Sequence, residues 1–444
     1  MHVCKRWRTA LFASPSRLDL YFVVTAHKGG SMTTLLSCHF PPLPIVIIYK
    51  CSGEVMKAKE MGRMLAALKH PDRIREITLV TGSTADLGKF FEATRGPFPI
   101  LESLELCDCN GLKIPATFLK GLDLPLQTLK LYRISLPESL PSISRLLLSA
   151  PGLTTLFLLI DTNVDLLPGM MLLLPYLQGM PCLSRLDLRI IDKIDIADSL
   201  AQPAKPEEKF QLSRLTSFHY HGHSAYFDTF VAGFASPSLQ EVNIWLDDKT
   251  LPPIPHLPRF IDEIGKHYHA VKVVLARDDF KFSLLGRSEY AGGYYPDHFS
   301  AFSPSFRLRT TSFRQAIKQL NSAFSTRLAT IQELFVVTDG YWGEAVPWRR
   351  LLRRFPSVKA LRLEGGHNVY IARDLYHNIG GLNHSFLPLL EEIELCTESF
   401  FDPNFPSVFD DELEAFDGFV SARQQAGLPV KVFWGPPLCL RKLP

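Results

Sequence analysis

Leu101-Glu102-Ser103-Leu104-Glu105-Leu106 is the clearest copy of the pattern that decides the fold, in which an apolar residue is followed three and five positions later by two more. The pattern occurs nine times, and a tenth, weaker copy begins at Ile74. A short strand that buries one side and returns at a near-constant interval is typical of leucine-rich-repeat proteins. The other eight copies begin at Leu126, Leu153, Leu183, Leu215, Leu239, Ile331, Val358 and Leu390.

The spacing of these copies predicts an irregular repeat. From Ile74 to Leu239 the first apolar positions are separated by 27, 25, 27, 30, 32 and 24 residues; a gap of 92 then precedes Ile331, followed by 27 and 32. Most intervals lie at or just beyond the usual repeat of about 20 to 29 residues. We expect degraded or enlarged repeats in the gap, with candidate strands at 271–275 and 306–311. The predicted fold is α/β, an irregular leucine-rich-repeat solenoid in which short parallel strands and outer helices form a horseshoe.

Each repeat contains the parts that a strand and a return helix need. Ile143, Leu146 and Leu147 have the spacing of one helix face, and they are followed by Pro151, a residue without an N–H that ends helices. Within each strand the second and third apolar residues of the pattern face the core, so the residues between them face the other way. We expect these outward residues to line the concave face of the horseshoe.

Composition is that of a large globular protein and narrows the function little. The 444 residues are 46% hydrophobic and 21% charged, and the net charge of +3 predicts no strong attraction to nucleic acid or to a membrane. The most apolar run, residues 166–177, is interrupted by prolines and is shorter than a membrane-spanning helix needs. Eight scattered cysteines favour reduced thiols and a cytoplasmic or nuclear location.

The first twenty residues resemble a known domain. The segments V-C-K-R-W-R at 3–8, F-A-S-P at 12–15 and R-L-D-L at 17–20 resemble the end of the F-box in fungal, basidiomycete-type F-box/leucine-rich-repeat proteins, and 42–49 and 416–434 are also similar to those proteins. The resemblance implies a substrate-recognition subunit of an SCF-type cullin-RING ubiquitin ligase, whose repeats hold the target while the F-box binds the Skp adaptor. The residues of this F-box remnant are Cys4, Trp7, Leu11, Phe12 and Pro15.

One feature departs from that family. There the F-box opens with a Leu-Pro pair and an acidic, apolar helix that supplies much of the adaptor-binding surface, whereas Met1 here lies just before the final F-box helix. Either the sequence starts at a truncated gene model, or the adaptor-binding half has been lost. The truncation weakens the expectation of Skp-adaptor binding, and the alternative function is a free-standing repeat scaffold with no role in ubiquitin ligation.

These observations divide the chain into five predicted segments. They are an F-box remnant at 1–22, a connecting segment and N-terminal cap at 23–70, leucine-rich repeats at 71–250, irregular or inserted repeats at 251–330, and leucine-rich repeats with a C-terminal cap at 331–444.

The sequence predicts a protein-binding protein rather than an enzyme. It lacks the phosphate-binding, dinucleotide-binding, metalloprotease and serine-hydrolase motifs, and we expect no cofactor, nucleic-acid or membrane partner. His219, His221 and His223 alternate along one predicted strand, so a metal site, a polar binding surface and a solvated strand are all open. Same-face residues are about 6.6 Å apart along a strand, which is awkward for a single ion, and no metal ligand is predicted.

A protein target is expected on the concave face. Aromatic and arginine side chains dominate the binding energy of protein interfaces, and several lie at outward positions of the predicted strands. The alternative is that irregular loops fold over this face and turn its aromatic residues into core. The candidate partner-binding residues are Tyr132, Phe157, Arg185, Asp187, His219, His221, Trp245 and Phe335.

Overall fold

The protein is described from a computed structural model. The residues that it describes are 22–25, 43–50, 56–94, 96–119, 124–135, 139–162, 175–192, 210–247, 254–264, 270–276, 279–285, 305–309, 317–318, 324, 327–338, 348–365, 371, 374–375, 387–396 and 406–435. The F-box-like residues Cys4, Trp7, Leu11, Phe12 and Pro15 lie outside these ranges.

The described chain contains short strands, with helices in some of the connections between them. The strands are β1 (Phe22–Thr25), β2 (Ile45–Lys50), β3 (Ile74–Thr81), β4 (Ser103–Leu112), β5 (Thr128–Ser135), β6 (Thr155–Thr162), β7 (Arg185–Asp192), β8 (Phe210–Gln211), β9 (Ser217–Gly222), β10 (Phe234–Ala235), β11 (Glu241–Leu246), β12 (Ala270–Ala276), β13 (Asp279–Leu285), β14 (Ser305–Arg309), β15 (Glu333–Thr338), β16 (Ala360–Gly365), β17 (Glu392–Cys396) and β18 (Lys431–Gly435). The helices are α1 (Ala58–Leu68), α2 (Thr84–Ala93), α3 (Leu140–Leu148), α4 (Ser224–Ala232), α5 (Leu257–Glu263), α6 (Trp348–Leu352) and α7 (Pro406–Gln425).

The chain forms two compact units. Met1–Thr216 with Gly233–Ser236 is the first, and Ser217–Ala232 with Pro237–Pro444 is the second. In the first unit, β1 to β7 pair in chain order and every pair is parallel. Parallel neighbours require a crossover connection, and α1, α2 and α3 lie in three of these connections. The first unit is therefore an α/β structure with a parallel sheet.

The apolar pattern forms the core, as its spacing predicts. Every first, second and third apolar residue of the ten copies is at most 2% exposed. In nine copies the strand begins two residues after the first apolar position, whereas β3 begins at its first apolar residue, Ile74. Several residues between the core positions, such as Glu105 and Phe157, are only half-buried. The two-sided strand expected from the sequence is confirmed.

The second unit contains antiparallel strands within the segment 251–330, for which the sequence predicts irregular or inserted repeats and leaves the strand pairing open. Strands β15 to β18 pair in chain order and in parallel, as do β9 and β11. Strand β13, however, is antiparallel to both β12 and β14. Only two residues separate β12 from β13, and so short a connection allows only an antiparallel pair. The sheet order β11-β14-β13-β12-β15 places β12, β13 and β14 between β11 and β15.

Two strands precede the first predicted repeat. Strands β1 and β2 lie within the predicted connecting segment and cap, and β2 pairs in parallel with β3. The apolar, β-branched run Ile45-Val46-Ile47-Ile48 is the signal in the sequence for β2. The first sheet therefore begins before residue 71. None of the helices in the described ranges is long and apolar enough to cross a membrane.

Truncating one core leucine tests the buried face. Leu156 of β6 is fully buried, whereas 63% of Leu148 at the end of α3 is exposed. We expect Leu156→Ala to lower the free energy of unfolding by about 2–5 kcal/mol, because it removes buried methyl groups and leaves a cavity. The matched Leu148→Ala variant should change it by less than about 0.5 kcal/mol. Urea unfolding followed by circular dichroism measures both, and equal midpoints for the two variants would contradict the assignment of Leu156 to the core.

Candidate functional site

The polar face is the side of each strand that points away from the core. Its residues lie at the positions between the buried apolar residues, and the parallel register places those of neighbouring strands side by side. Lys130 of β5, Phe157 of β6 and Asp187 of β7 occupy one such row in the first unit. Residues that are 25 to 32 positions apart in the chain are therefore direct neighbours on this face.

Tyr132, Phe157, Asp187 and Arg189 form an aromatic–arginine cluster on the polar face of the first unit. The ring centroids of Tyr132 and Phe157 are 4.5 Å apart, with 36° between the ring planes. The Cζ atom of Arg189 lies 4.9 Å from the centroid of Phe157, which is the distance of a cation–π contact. Phe157 is therefore in contact with Tyr132 and with Arg189.

Asp187 holds the guanidinium of Arg189 in place. The Nε and Nη2 atoms of Arg189 donate to Oδ1 and Oδ2 of Asp187, each at 3.0 Å, which is a bidentate pair. This hydrogen bond raises the pKa of Arg189 above its ordinary value. Asp187 itself is only 8% exposed, so its predicted role as a contact residue is corrected: the neighbouring side chains cover it, and it orients Arg189. Arg185, at the start of β7, is exposed as expected.

The tyrosine of the cluster stays neutral over a wide pH range. Burial raises the pKa of Tyr132, and the carboxylate of Glu105 raises it further because it repels a phenolate. Arg189 acts in the opposite direction but is the smaller influence. The cluster therefore presents a neutral phenol beside a permanently charged guanidinium, a combination of apolar surface and directional donors.

An unusual backbone conformation follows Tyr132. Arg133 has a φ of 58°, in the left-handed region that non-glycine residues rarely adopt. The pairing of β5 with both neighbouring strands shifts register at this point. The Nη2 atom of Arg133 binds Oδ2 of Asp161 at 3.1 Å, and this contact across β5 and β6 helps to hold the irregular segment. Nothing in the local sequence signals this conformation, because it depends on Asp161 from the next repeat.

A histidine–carboxylate cluster lies on the polar face of the second unit. Nε2 of His219 on β9 is 2.9 Å from Oε1 of Glu241 on β11, and the hydroxyl of Ser217 donates to Oε2 of the same carboxylate at 2.8 Å. The side-chain amide of Asn243 also donates to Glu241 Oε1, at 3.2 Å. Ser217 and Glu241 both approach the same nitrogen of His219, whereas a serine–histidine–acid relay uses the two opposite ring nitrogens. Ser217, His219 and Asn243 therefore all contact the carboxylate of Glu241, and these contacts hold the four side chains in place.

His221 and Trp245 form a stacked pair beside that cluster. Their ring centroids are 4.6 Å apart and their planes differ by 20°. Nε2 of His221 is 2.7 Å from Oδ2 of Asp247, which directly follows β11. His221 and Trp245 are half-buried, so both rings remain partly accessible. This pair combines an aromatic surface with a hydrogen-bonded imidazole.

The three histidines do not lie together as the sequence pattern suggests. Strand β9 ends at Gly222, and the ring of His223 instead packs edge-on against Tyr226, with 6.3 Å between centroids. His219 and His221 each bind a separate carboxylate. Within the described ranges, no group of three or more His, Cys, Asp or Glu side chains is placed to hold a metal ion.

Phe335 is buried, which corrects its prediction as an exposed anchor. Its position on β15 is on the polar face, yet it is only 5% exposed. The guanidinium of Arg362 on the neighbouring strand β16 lies over the ring, with Cζ 5.2 Å from the centroid. Arg362 is held there by Glu394 of β17, with 2.9 Å between Nη1 and Oε2. The side chain of Arg362, from the adjacent strand, covers one face of this ring.

Neither a protein-family model nor a curated protein matches this chain.

The polar face beside Tyr132 can be tested through Cys107. Burial raises the pKa of the Cys107 thiol from 9.0 to about 11, and Cys109 and the nearby carboxylates raise it further than Arg133 lowers it. Because the thiolate is the reactive form, alkylation of Cys107 by iodoacetamide should accelerate about tenfold per pH unit between about pH 8 and pH 10. Peptide mass spectrometry of timed samples measures this rate. A rate that levels off below about pH 9.5 would contradict the raised pKa.

Proposed function

We propose that this chain is a non-enzymatic, protein-binding protein with an irregular leucine-rich-repeat solenoid fold, and that its polar face binds the target. The observation that carries the proposal is the aromatic–arginine cluster. Tyr132, Phe157 and Arg189 come from three successive strands and lie in contact on the face opposite the core. Large aromatic residues and arginine contribute most of the binding energy at protein interfaces.

Strand order supports the repeat fold. Strands β3 to β7 of the first unit and β15 to β18 of the second follow one another in chain order with parallel pairing. In a leucine-rich repeat each unit is a strand with a return segment, and it buries its apolar side only by stacking on its neighbours. The buried apolar pattern and the ordered strands fit that principle within each unit.

The cluster combines rigidity with remaining exposure. Arg189 keeps 45% of its side chain exposed, although Asp187 holds two of the five N–H groups that a guanidinium carries. Side chains that are already held in their bound geometry lose less conformational entropy when a partner docks. A target that offers a carboxylate or carbonyl oxygen to Arg189 and an apolar side chain to Phe157 and Tyr132 fits this surface.

The pair of His221 and Trp245 supports a similar role for the second unit. The stacked rings are partly accessible, and the imidazole is held by Asp247 at 2.7 Å. Tryptophan is among the most frequent anchors at interfaces, because it offers a large rigid surface with one donor. Each unit thus contributes an aromatic contact of its own.

The resemblance of residues 1–20 to the end of an F-box favours a specific role. In that role the chain is a substrate-recognition subunit of an SCF-type cullin-RING ubiquitin ligase. The alternative is a free-standing repeat scaffold without a link to ubiquitin. Both roles use the polar face to bind a target, and they differ in whether the chain binds the Skp adaptor.

Photo-cross-linking tests target binding on the polar face. Benzoylphenylalanine placed at position 132 should form discrete protein adducts in fungal cells, whereas the same residue at the exposed position 148 should not form them. Adding Arg189→Ala should reduce the adduct yield at position 132 about fivefold, because it removes one anchor of the cluster. Gel mobility and mass spectrometry report the adducts. Identical adducts from positions 132 and 148 would contradict the proposal that the polar face binds the target.

Co-expression with the Skp adaptor separates the two roles. Co-purification of the full chain with a fungal Skp adaptor, abolished by Trp7→Ala, supports the ligase role. Trp245→Ala is the matched control, since Trp245 lies on the polar face of the second unit and should leave adaptor binding unchanged. If the unaltered chain fails to retain the adaptor, the free-standing scaffold is the correct role.

A further inference from the structure

A cleft of about 420 Å³ in the first unit lies between α2 and the end of β4. Helix α2 contributes Leu87, Gly88 and Phe91 to its walls, and β4 contributes Asp108 and Asn110. Its volume falls in the range of sites that hold small molecules. The polar face described above lies elsewhere, because the cleft is built from a helix and from the irregular end of one strand.

The end of β4 leaves the regular ladder where the cleft begins. The pairing of β4 with β5 shifts register between Cys107 and Leu112, so residues 108–111 have no partner in β5, although Asp108 still pairs with Thr81 of β3. Gly111 has a φ of 103°, which favours glycine. Bulges of this kind redirect side chains and occur often beside functional sites.

Asp108 is oriented by its own loop. It is 1% exposed, and its Oδ1 atom accepts a hydrogen bond of 2.9 Å from the backbone N–H of Asn110. The side-chain amide of Asn110 donates to the carbonyl of Gly82 at 2.6 Å, which connects the loop to the segment before α2. The carboxyl group is therefore held in one orientation without any ligand.

The second oxygen of Asp108 carries the inference. Oδ2 is buried and has no hydrogen-bond partner among the described residues, and Asp108 is one of the residues that line the cleft. A buried carboxylate oxygen that lacks a partner costs free energy, and a bound donor would remove that cost. A single water occupies only about 30 Å³ of liquid volume, far less than this cleft provides.

We propose that this cleft binds a small organic cation, an ammonium group on a compact apolar body, with the ammonium donating to Oδ2 of Asp108. Two carboxylates, Asp108 and Glu92, line the cleft against one lysine, Lys113, so the lining carries a net negative charge. Leu87 and Phe91 supply apolar walls, and Phe91 is held edge-on by Phe118 with 4.9 Å between ring centroids. A charge-assisted hydrogen bond in such surroundings favours an ammonium over a neutral donor.

A substitution at Gly88 tests the cleft independently of Asp108. It lies on the exposed side of α2 and lines the cleft, and a Cβ added there would meet no atom within 4 Å. Gly88→Leu should therefore fill the cleft without disturbing the core, and it replaces a poor helix former with a good one. Gly62 on α1 is equally open and exposed but does not line the cleft, so Gly62→Leu is its matched control.

Titration calorimetry of the full chain with phenethylammonium chloride tests the proposal, with 2-phenylethanol and 3-phenylpropionate as neutral and anionic analogues of similar shape. We expect saturable binding of the ammonium, about tenfold or more weaker binding of the alcohol, and none of the carboxylate. Asp108→Asn should weaken ammonium binding about tenfold or more, while the exposed control Asp72→Asn should not change it. Gly88→Leu should abolish binding and Gly62→Leu should preserve it.

Three results would overturn the proposal. They are no saturable binding of phenethylammonium up to about 10 mM, equal affinity for 2-phenylethanol, and unchanged affinity in the Gly88→Leu variant. Circular dichroism establishes that each variant is folded. Should Asp108→Asn fail to fold, the pair of glycine variants still decides whether the ligand occupies this cleft.

Discussion

Successive side chains of a β-strand point to opposite faces of the sheet, so the residues that form the core determine which residues lie on the polar face. Because Leu156 and Leu158 are buried in the core, Phe157 between them must lie on the opposite face. A slip of one residue would expose the leucines and bury the phenylalanine, so the hydrophobic core excludes it strongly. The positions of the polar-face residues are thus a by-product of the same packing that stabilises the strand.

Contacts between neighbouring strands then hold the polar-face side chains in defined orientations. The aromatic rings of β5 and β6 touch, and the guanidinium of Arg189 is held by Asp187 two residues earlier on β7. In the second unit, Glu241 receives hydrogen bonds from Ser217 and Asn243 as well as its contact with His219. Polar groups on this face are therefore mostly engaged with one another, which limits their rotamers before any target binds.

The core and the faces of the strands could be predicted from the sequence. Both follow from the local spacing of three apolar residues, which recurs in every copy of the pattern. Strand β13 is not among the predicted strands, although Phe280, Phe282 and Leu284 alternate in its sequence as the apolar residues of the predicted strand 271–275 do. The burial of Phe335 under Arg362 could not be predicted. It depends on a side chain from the next strand, as does the conformation of Arg133, and a single repeat contains neither partner.

The antiparallel hairpin also bears on how the second unit assembles. Strands β15, β16 and β17 pair with one another across 27 and 32 residues, whereas Asn243 of β11 pairs with Ser305 of β14, and Ala270 of β12 with Glu333 of β15, each about sixty residues on. Longer loops cost more chain entropy to close, and non-local pairs form slowly. Strands β15 to β17 can therefore pair with one another first, and the two junctions that join β12–β14 to the rest of the unit, β11 with β14 and β12 with β15, form later.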